Sequence, residues 1–124
     1  MRQMLVIDDE RVITLAIKNY FTRLGHSVDT AAEREEAEAL LATRRYDVVI
    51  ADVRLEGMDG REGLDILRFV RERCLDARVV LMTAYPTDAT EATARHLGVD
   101  AFLKKPVPLQ QMAAVVDQLL GVTR

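Results

Sequence analysis

Short apolar segments alternate with longer stretches of helical period five times along this chain, and this alternation restricts the possible fold more than any single residue does. The predicted strands cover residues 4–7, 27–30, 48–51, 79–82 and 101–103. The predicted helices cover residues 12–24, 33–43, 61–73, 88–97 and 108–120. Regular alternation of this kind predicts a parallel sheet with helices on both faces and right-handed crossovers. The expected fold class is therefore α/β, a doubly wound parallel sheet of five strands with five helices.

The helical segments differ in how strongly their apolar residues repeat. In the first, Val12, Leu15 and Ala16 recur at helical spacing, and Gly25 supplies a left-handed cap at its end. The fourth is rich in alanine and only weakly apolar. The last is expected to face inward through Met112, Val115, Val116, Leu119 and Leu120.

Charged and hydroxyl residues directly follow several of the predicted strands. Asp8 and Asp9 follow the first and Asp52 the third, whose uninterrupted apolar run suits a strand buried on both faces. A carboxylate cannot extend such a run into the core without a large desolvation cost. In doubly wound sheets ligands bind beyond the carboxyl ends of the strands. We therefore expect these three aspartates to meet Thr83 and Lys105 at that edge.

Three carboxylates held together need a cation. Two of them about 4 Å apart repel each other by roughly 4 kcal/mol at an effective dielectric near 20. A hard divalent ion held by carboxylates, a carbonyl and waters offsets this repulsion, and Mg²⁺ fits best. Taken alone, Asp9 and Glu10 are also explained as an N-cap and a first-turn acid of the first helix.

Length and composition exclude several classes of protein. With 124 residues, 49% of them hydrophobic, one domain over residues 1–124 is expected. The 17 Lys and Arg against 20 Asp and Glu give a net charge of −3, which argues against direct nucleic-acid binding. No membrane span or signal peptide is visible, so a cytoplasmic location is expected. Cys74 receives no role, and His26 and His96 are expected at the surface.

Four motifs on the predicted strand ends occur in order along the chain. They are LVIDDE at 5–10, DVRLEGMDG at 52–60, MTA at 82–84 and FLKKP at 102–106. With these motifs the chain resembles, almost from end to end, the receiver domain of two-component response regulators. The resemblance implies a flavodoxin-like sheet of strand order 2-1-3-4-5. It also implies a signalling switch with self-catalysed phosphoryl transfer and slow autodephosphorylation, rather than an enzyme.

The resemblance assigns a role to each acid. Asp52 would take a phosphoryl group from a phosphohistidine on a sensor histidine kinase or a histidine phosphotransfer protein. Asp9 and Asp52 would bind Mg²⁺ directly, Asp8 would bind it through water, and the backbone carbonyl of Arg54 would complete the protein ligands. Catalysis of phosphoryl transfer consists mostly of positioning and charge stabilisation, which explains these residue types.

The remaining site residues are implied to stabilise the phosphoryl group and transmit its effect. Thr83 and Lys105 would bind its oxygens; Lys105 rather than Lys104 directly precedes proline, as in the family, where that peptide bond is typically cis. Thr83 would then move toward the phosphoryl group and allow Phe102 to turn inward. The surface of helix 4, strand 5 and helix 5 would change and meet a downstream effector or output domain, or a second copy in a homodimer.

Two departures from the family pattern concern the edge of the site. Glu56 replaces a common proline four residues after Asp52, and the MDG turn at 58–60 is expected to be structural. Arg54 and Tyr85 occupy positions that flank the phosphoryl group in this family, so both are expected to tune its hydrolysis.

Two other classes of protein use comparable elements. A Mg²⁺-dependent phosphohydrolase with an aspartyl-phosphate intermediate would need a second acid two residues after the nucleophile, where this chain has Arg54, and a cap domain for which it is too short. A flavodoxin-like FMN carrier would need a Ser/Thr/Gly-rich loop after the first strand, where Asp8 and Asp9 would repel the phosphate. The phosphohydrolase is kept as the alternative.

Overall fold

The computed structural model describes residues 2–53, 62–73 and 75–121. Strands and helices alternate along this part of the chain. They are β1 (Gln3–Ile7), α1 (Arg11–Arg23), β2 (Ser27–Ala31), α2 (Arg34–Thr43), β3 (Val48–Asp52), α3 (Glu62–Glu72), β4 (Arg78–Thr83), α4 (Asp88–His96), β5 (Ala101–Lys104) and α5 (Leu109–Leu120). The strands form one parallel sheet in the order β2-β1-β3-β4-β5. The predicted fold class and strand order are confirmed.

The register of the sheet aligns the carboxyl ends of its strands. Asp52, the last residue of β3, is opposite Met82, and Thr83 at the end of β4 is opposite Lys104. β1 ends level with β3, because Ile7 lies opposite the penultimate residue of that strand. Side chains that follow the four strands β1, β3, β4 and β5 are therefore brought to one edge of the sheet.

Alternate residues of the strands belong to two apolar clusters, one on each face of the sheet. The cluster beneath α2 and α3 includes Leu5, Ile7, Val49, Leu67 and Leu81. The cluster beneath α1 and α5 includes Met4, Val6, Ile50, Phe21 and Val116. All five residues of β3 are buried, as expected for a strand covered on both faces. No helix in the described ranges is long and apolar enough to cross a bilayer.

The buried face of α1 differs from the one its apolar spacing indicated. Val12 and Leu15 are 82% and 56% exposed. The buried side chains of this helix belong to Thr14, Ile17 and Phe21. The spacing predicted the helix correctly, but contact with the second cluster decided its rotation. Two large apolar side chains consequently remain on the surface of α1.

The expectation that both histidines lie at the surface is wrong for His26. This residue is 9% exposed, and its ring centroid lies 5.9 Å from that of Phe21. Gly25 precedes it with a φ of 95°, the left-handed cap expected from the sequence, and turns the chain back onto the end of α1. His96 is exposed as expected.

The start of α3 lies directly against the end of β3. A Cβ atom on Gly63 would be 2.6 Å from the Cα of Val53 and closer still to the carbonyl oxygen of Asp52. The Gly63 amide donates a hydrogen bond to the Val53 carbonyl at 3.0 Å. Only glycine permits this approach, which fixes the backbone that carries Asp52.

Some sequence predictions fall outside the described residues. These are the Arg54 carbonyl ligand, the Arg54 tuning role, Glu56, the turn at 58–60 and Cys74. The expectation of one domain over residues 1–124 stays a prediction.

Candidate functional site

Asp8 directly follows β1 and is buried. Its Oδ1 accepts a hydrogen bond from the Glu10 amide at 2.9 Å, and its Oδ2 accepts one from Lys105 Nζ at 2.7 Å. The Asp8 amide in turn donates to the Ala31 carbonyl at the end of β2. These bonds hold one carboxylate rigidly at the sheet edge, whereas the next residue, Asp9, is exposed.

The three aspartates converge as the sequence predicted. One carboxylate oxygen from each of Asp8, Asp9 and Asp52 lies within 4.8 Å of the others. Asp52 is only 6% exposed, so two of the three acids are buried and one faces solvent. Convergent carboxylate oxygens with one side open to water are the donor set that hard divalent cations prefer. The cluster therefore fits a metal ion.

Lys105 supplies the positive charge of this cluster. Its Nζ lies 2.6 Å from Asp52 Oδ2 and 2.7 Å from Asp8 Oδ2, and its side chain is only 11% exposed. Burial lowers the pKa of Lys105, but hydrogen bonds and charge interactions with the two aspartates outweigh it, so the net shift is upward. Lys104 is exposed. The Lys105–Pro106 bond is cis, as expected.

Thr83 stands at the end of β4 at the same edge and is 2% exposed. Its Oγ1 accepts a hydrogen bond from the Tyr85 amide at 3.1 Å, and its carbonyl accepts one from the Lys105 amide at 2.8 Å. The Tyr85 side chain is 72% exposed. The backbone thus links Thr83 to both the loop after β4 and the lysine.

Phe102 lies within β5, two residues before its last residue, Lys104. It sits in β5 opposite Leu81 and packs, half-buried, against the cluster beneath α2 and α3. Of the residues expected at the site, Asp8, Asp9, Asp52 and Lys105 lie together in the structure, as the sequence predicted.

Sequence reasoning missed one contact of the lysine. Glu10 Oε1 lies 3.8 Å from Lys105 Nζ. The N-cap of α1 is Glu10, but its side chain makes no capping hydrogen bond. The sequence indicated Asp9 as the N-cap and Glu10 as a first-turn acid, so the position of Glu10 is one residue earlier in the helix than expected and its contact with Lys105 had no signal in the sequence.

An apolar cavity of about 440 Å³ adjoins the cluster. It lies between α1, the end of β4 and the segment that leads into α5. Its walls include Ile13, Met82, Leu109 and Met112, and Glu10 and Lys105 line it too. We call the side chains of Asp8, Asp9, Asp52 and Lys105 the ion cluster. The ion cluster thus borders an apolar surface on the side of α1 and α5.

Comparison with known proteins identifies this arrangement. A family model described as response regulator receiver domain matches residues 4–117. The chain belongs to this family. Receiver domains are signalling modules of two-component systems, which agrees with the function that the sequence motifs implied.

Relatives of this receiver domain occur among curated proteins and solved structures. The transcriptional regulatory protein QseB of Escherichia coli O157:H7 is 35% identical over 121 residues, covering 98% of this chain and 54% of the relative. A two-component response regulator from Clostridium difficile has a TM-score of 0.88 at 26% identity, covering 98% and 97% of the two chains. A Burkholderia pseudomallei response regulator, solved with a phosphorylated aspartic acid, calcium ion and citrate, has a TM-score of 0.82 at 25% identity, covering 98% and 72%.

The receiver domain spans about half the length of the curated relatives it matches, as with QseB and with the response regulator MprA of Mycolicibacterium vanbaalenii. The family and fold therefore apply to this chain directly, whereas the activity of a whole regulator does not.

Proposed function

We propose that this receiver domain accepts a phosphoryl group on Asp52 from the phosphohistidine of a sensor histidine kinase or a histidine phosphotransfer protein. One observation supports this most strongly: Lys105 Nζ lies within 2.7 Å of both Asp52 and Asp8, in a cluster that also contains Asp9. A related structure described with a phosphorylated aspartic acid and a calcium ion supports the same chemistry at such a site.

The transfer uses Asp52 as the nucleophile. An Asp52 carboxylate oxygen forms a bond to phosphorus while the bond between phosphorus and the donor histidine nitrogen breaks, and the nitrogen keeps the electron pair. Lys105 moves its ammonium from the carboxylates to a phosphoryl oxygen, and the Thr83 hydroxyl donates to another. Phosphoryl transfer depends mainly on positioning and charge stabilisation, and Lys105 and Thr83 would contribute both to the group on Asp52.

Mg²⁺ is the metal we propose for the acidic cluster. Asp9 and Asp52 would hold it directly, Asp8 through water, and the Arg54 carbonyl would complete the protein's share. When bound, the ion neutralises charge on the acids and on the phosphoryl oxygens. Oxygen ligands and an exposed side for retained waters suit this ion.

Output would follow from movement of Thr83. Movement of Oγ1 toward the phosphoryl group would lengthen the hydrogen bond that Oγ1 now accepts from the Tyr85 amide, so the loop after β4 would shift. Phe102 would then turn inward. The surface of α4, β5 and α5 would change and act on a downstream effector or output domain, or form a homodimer, in the cytoplasm.

The experiment is incubation of the protein with acetyl phosphate and Mg²⁺ followed by intact mass measurement. We expect the mass to increase by one phosphoryl group. The increase should be absent when a chelator is present during labelling, and it should be absent in Asp52→Asn. The matched control is Asp76→Asn, an exposed aspartate before β4, which should label like the wild type. No gain in the wild type with bound Mg²⁺ would contradict the proposal.

Lifetime of the product separates a switch from a phosphohydrolase. A switch holds the phosphoryl group long enough for the labelled protein to be isolated, whereas a phosphohydrolase would release phosphate over many turnovers. We also propose that Arg54 and Tyr85 tune this lifetime. Unchanged lifetimes in Arg54→Ala and Tyr85→Ala would remove the tuning role while leaving the switch intact.

A further inference from the structure

Glu10 has an unusual position for a residue that begins a helix. Its backbone is extended and its amide holds Asp8, but its side chain makes no capping bond. The Glu10 carboxylate instead approaches Lys105 Nζ to 3.8 Å. Its side chain is 65% exposed, whereas that of Lys105 is 11% exposed. The Glu10 carboxylate therefore lies on the solvent side of the ion cluster.

We propose that Glu10 is a specificity-determining residue that disfavours small, highly charged phosphodonors at this site. This inference rests on the proposed phosphorylation of Asp52. The Glu10 carboxylate shares the Lys105 ammonium with Asp8 and Asp52, so an incoming phosphoryl group must compete with it for that ammonium.

Burial limits the direction from which a donor arrives. Asp8 and Asp52 are 1% and 6% exposed, so a phosphoryl group approaches Asp52 from solvent, and among the described residues the 65% exposed Glu10 side chain lies beside Lys105. A phosphoryl group carries roughly −1.5 to −2 charge near neutral pH. A donor that contacts Lys105 comes well within one Debye length of Glu10, which is about 8 Å at physiological ionic strength. The resulting repulsion slows entry by a factor of about three.

The acid on the other side of the cluster is differently engaged. Glu36 lines the cavity beside Asp8 and Asp9, but its Oε1 accepts a hydrogen bond from the Ala32 amide at 2.7 Å. Glu36 thus serves the start of α2. Glu10 has the ion-cluster contact and the exposed position together, which is why the proposal concerns this residue.

Two small donors give the same product from differently charged reactants. With acetyl phosphate, the bond from an Asp52 oxygen to phosphorus forms as the bond from phosphorus to oxygen breaks, and acetate leaves with the electron pair. With phosphoramidate, the bond from phosphorus to nitrogen breaks and ammonia leaves. Acetyl phosphate is close to a dianion near neutral pH, whereas the protonated nitrogen of phosphoramidate cancels part of its charge.

The experiment compares labelling rates of the wild type, Glu10→Gln and Glu72→Gln at saturating Mg²⁺. Glu72 is exposed on the last turn of α3, so its replacement removes the same charge far from the site. We expect Glu10→Gln to label about three times faster with acetyl phosphate, less than twice as fast with phosphoramidate, and to lose the advantage at high salt. Glu72→Gln should match the wild type.

Several results would overturn the inference. Equal rates for Glu10→Gln and the wild type, an equal gain in Glu72→Gln, or a gain that is independent of donor and salt each contradict it. Glu10→Ser is the second variant, because serine is a favoured N-cap that preserves α1 while removing the charge, and it should show the same acceleration. If the wild type is phosphorylated but neither Glu10 variant is faster, this inference fails and the phosphorylation proposal stands. If the wild type is not phosphorylated at all, the phosphorylation proposal itself is refuted.

Discussion

Both edges of the sheet hold charged side chains, but the pairing of these charges differs between the two edges. At the amino edge, Arg71 donates to the Ala77 and Gly98 carbonyls and to Asp100 Oδ2 at 2.7–3.2 Å. Asp100 Oδ2 also accepts from the Val79 amide at 2.7 Å. All three nitrogens of this guanidinium donate to an acceptor. The network joins α3 to the starts of β4 and β5.

At the carboxyl edge, the charges of the described residues do not match. Three aspartates present oxygens within 4.8 Å of one another, and the Lys105 ammonium contacts two of them and approaches Glu10. A balanced network contributes to stability, whereas an excess of like charge stores repulsion that a cation or a phosphoryl reaction can use. Among the described residues, charge imbalance rather than charge itself therefore distinguishes the candidate site from the scaffold.

The largest expected effect is at the amino edge. Arg71→Met should lower the free energy of unfolding by about 3 kcal/mol, because it removes the guanidinium from the Ala77 and Gly98 carbonyls and takes one of the donors from the Asp100 carboxylate. Urea unfolding followed by circular dichroism measures this. Phosphorylation of the folded variant by acetyl phosphate should stay near the wild-type rate.

The control for that change is Arg68→Met on the same helix, whose half-exposed guanidinium contacts Asp65 at 3.8 Å. It should cost less than about 0.5 kcal/mol. If both variants lost the same stability, the amino-edge network would not be the source of the effect.

A smaller loss is expected for Tyr46→Phe, which precedes β3 at the amino edge. The Tyr46 hydroxyl donates to Asp29 Oδ2 at 2.6 Å, so its removal should cost about 1.5 kcal/mol. Burial, and then the bond to Asp29, raise the pKa of Tyr46 above its ordinary value of 10.0. Since the folded protein holds the proton more tightly, this contribution is complete below pH 10 and declines at higher pH.

Unfolding curves of wild type and Tyr46→Phe over a pH series check this. The difference between them should be constant up to about pH 10 and shrink above it. Tyr20→Phe is the matched control, and a difference that grew with pH would contradict the assigned cause.

The smallest effect has the opposite sign and lies at the carboxyl edge. Asp9→Asn should raise the free energy of unfolding of the metal-free protein by about 1 kcal/mol, because it removes one repelling charge while Lys105 keeps both of its close partners. Thermal melts with and without Mg²⁺ measure it. The wild type should gain stability with Mg²⁺, and the variant should gain much less.

Asp76→Asn tests whether any lost acid would do the same. Asp76 is exposed and only 3.6 Å from Arg45, so its replacement should change stability by less than about 0.5 kcal/mol. A destabilised Asp9→Asn variant would mean that the carboxyl edge is as balanced as the amino edge.

The fold and the carboxylate cluster were largely predictable, because both depend on local patterns. Apolar runs gave the strands to within a residue or two, and an aspartate after a buried strand must lie where that strand leaves the core. The rotation of α1 was not predictable, since Val12 and Leu15 have the apolar spacing while Ile17 and Phe21 make the contacts. His26 was misjudged because Gly25 turns it inward.

The ends of the predicted strands indicated which acids meet at one edge of the sheet. The resemblance to receiver domains implied the strand order and the choice of Lys105 over Lys104. Only the tertiary structure decided which groups share that lysine. The Glu10 contact and the Arg71 network join residues from separate elements, and their distances depend on how the helices pack against the sheet. Local sequence patterns specify where each strand ends. Contacts between separate elements, such as those of Glu10 and Arg71, form only when the helices have packed against the sheet.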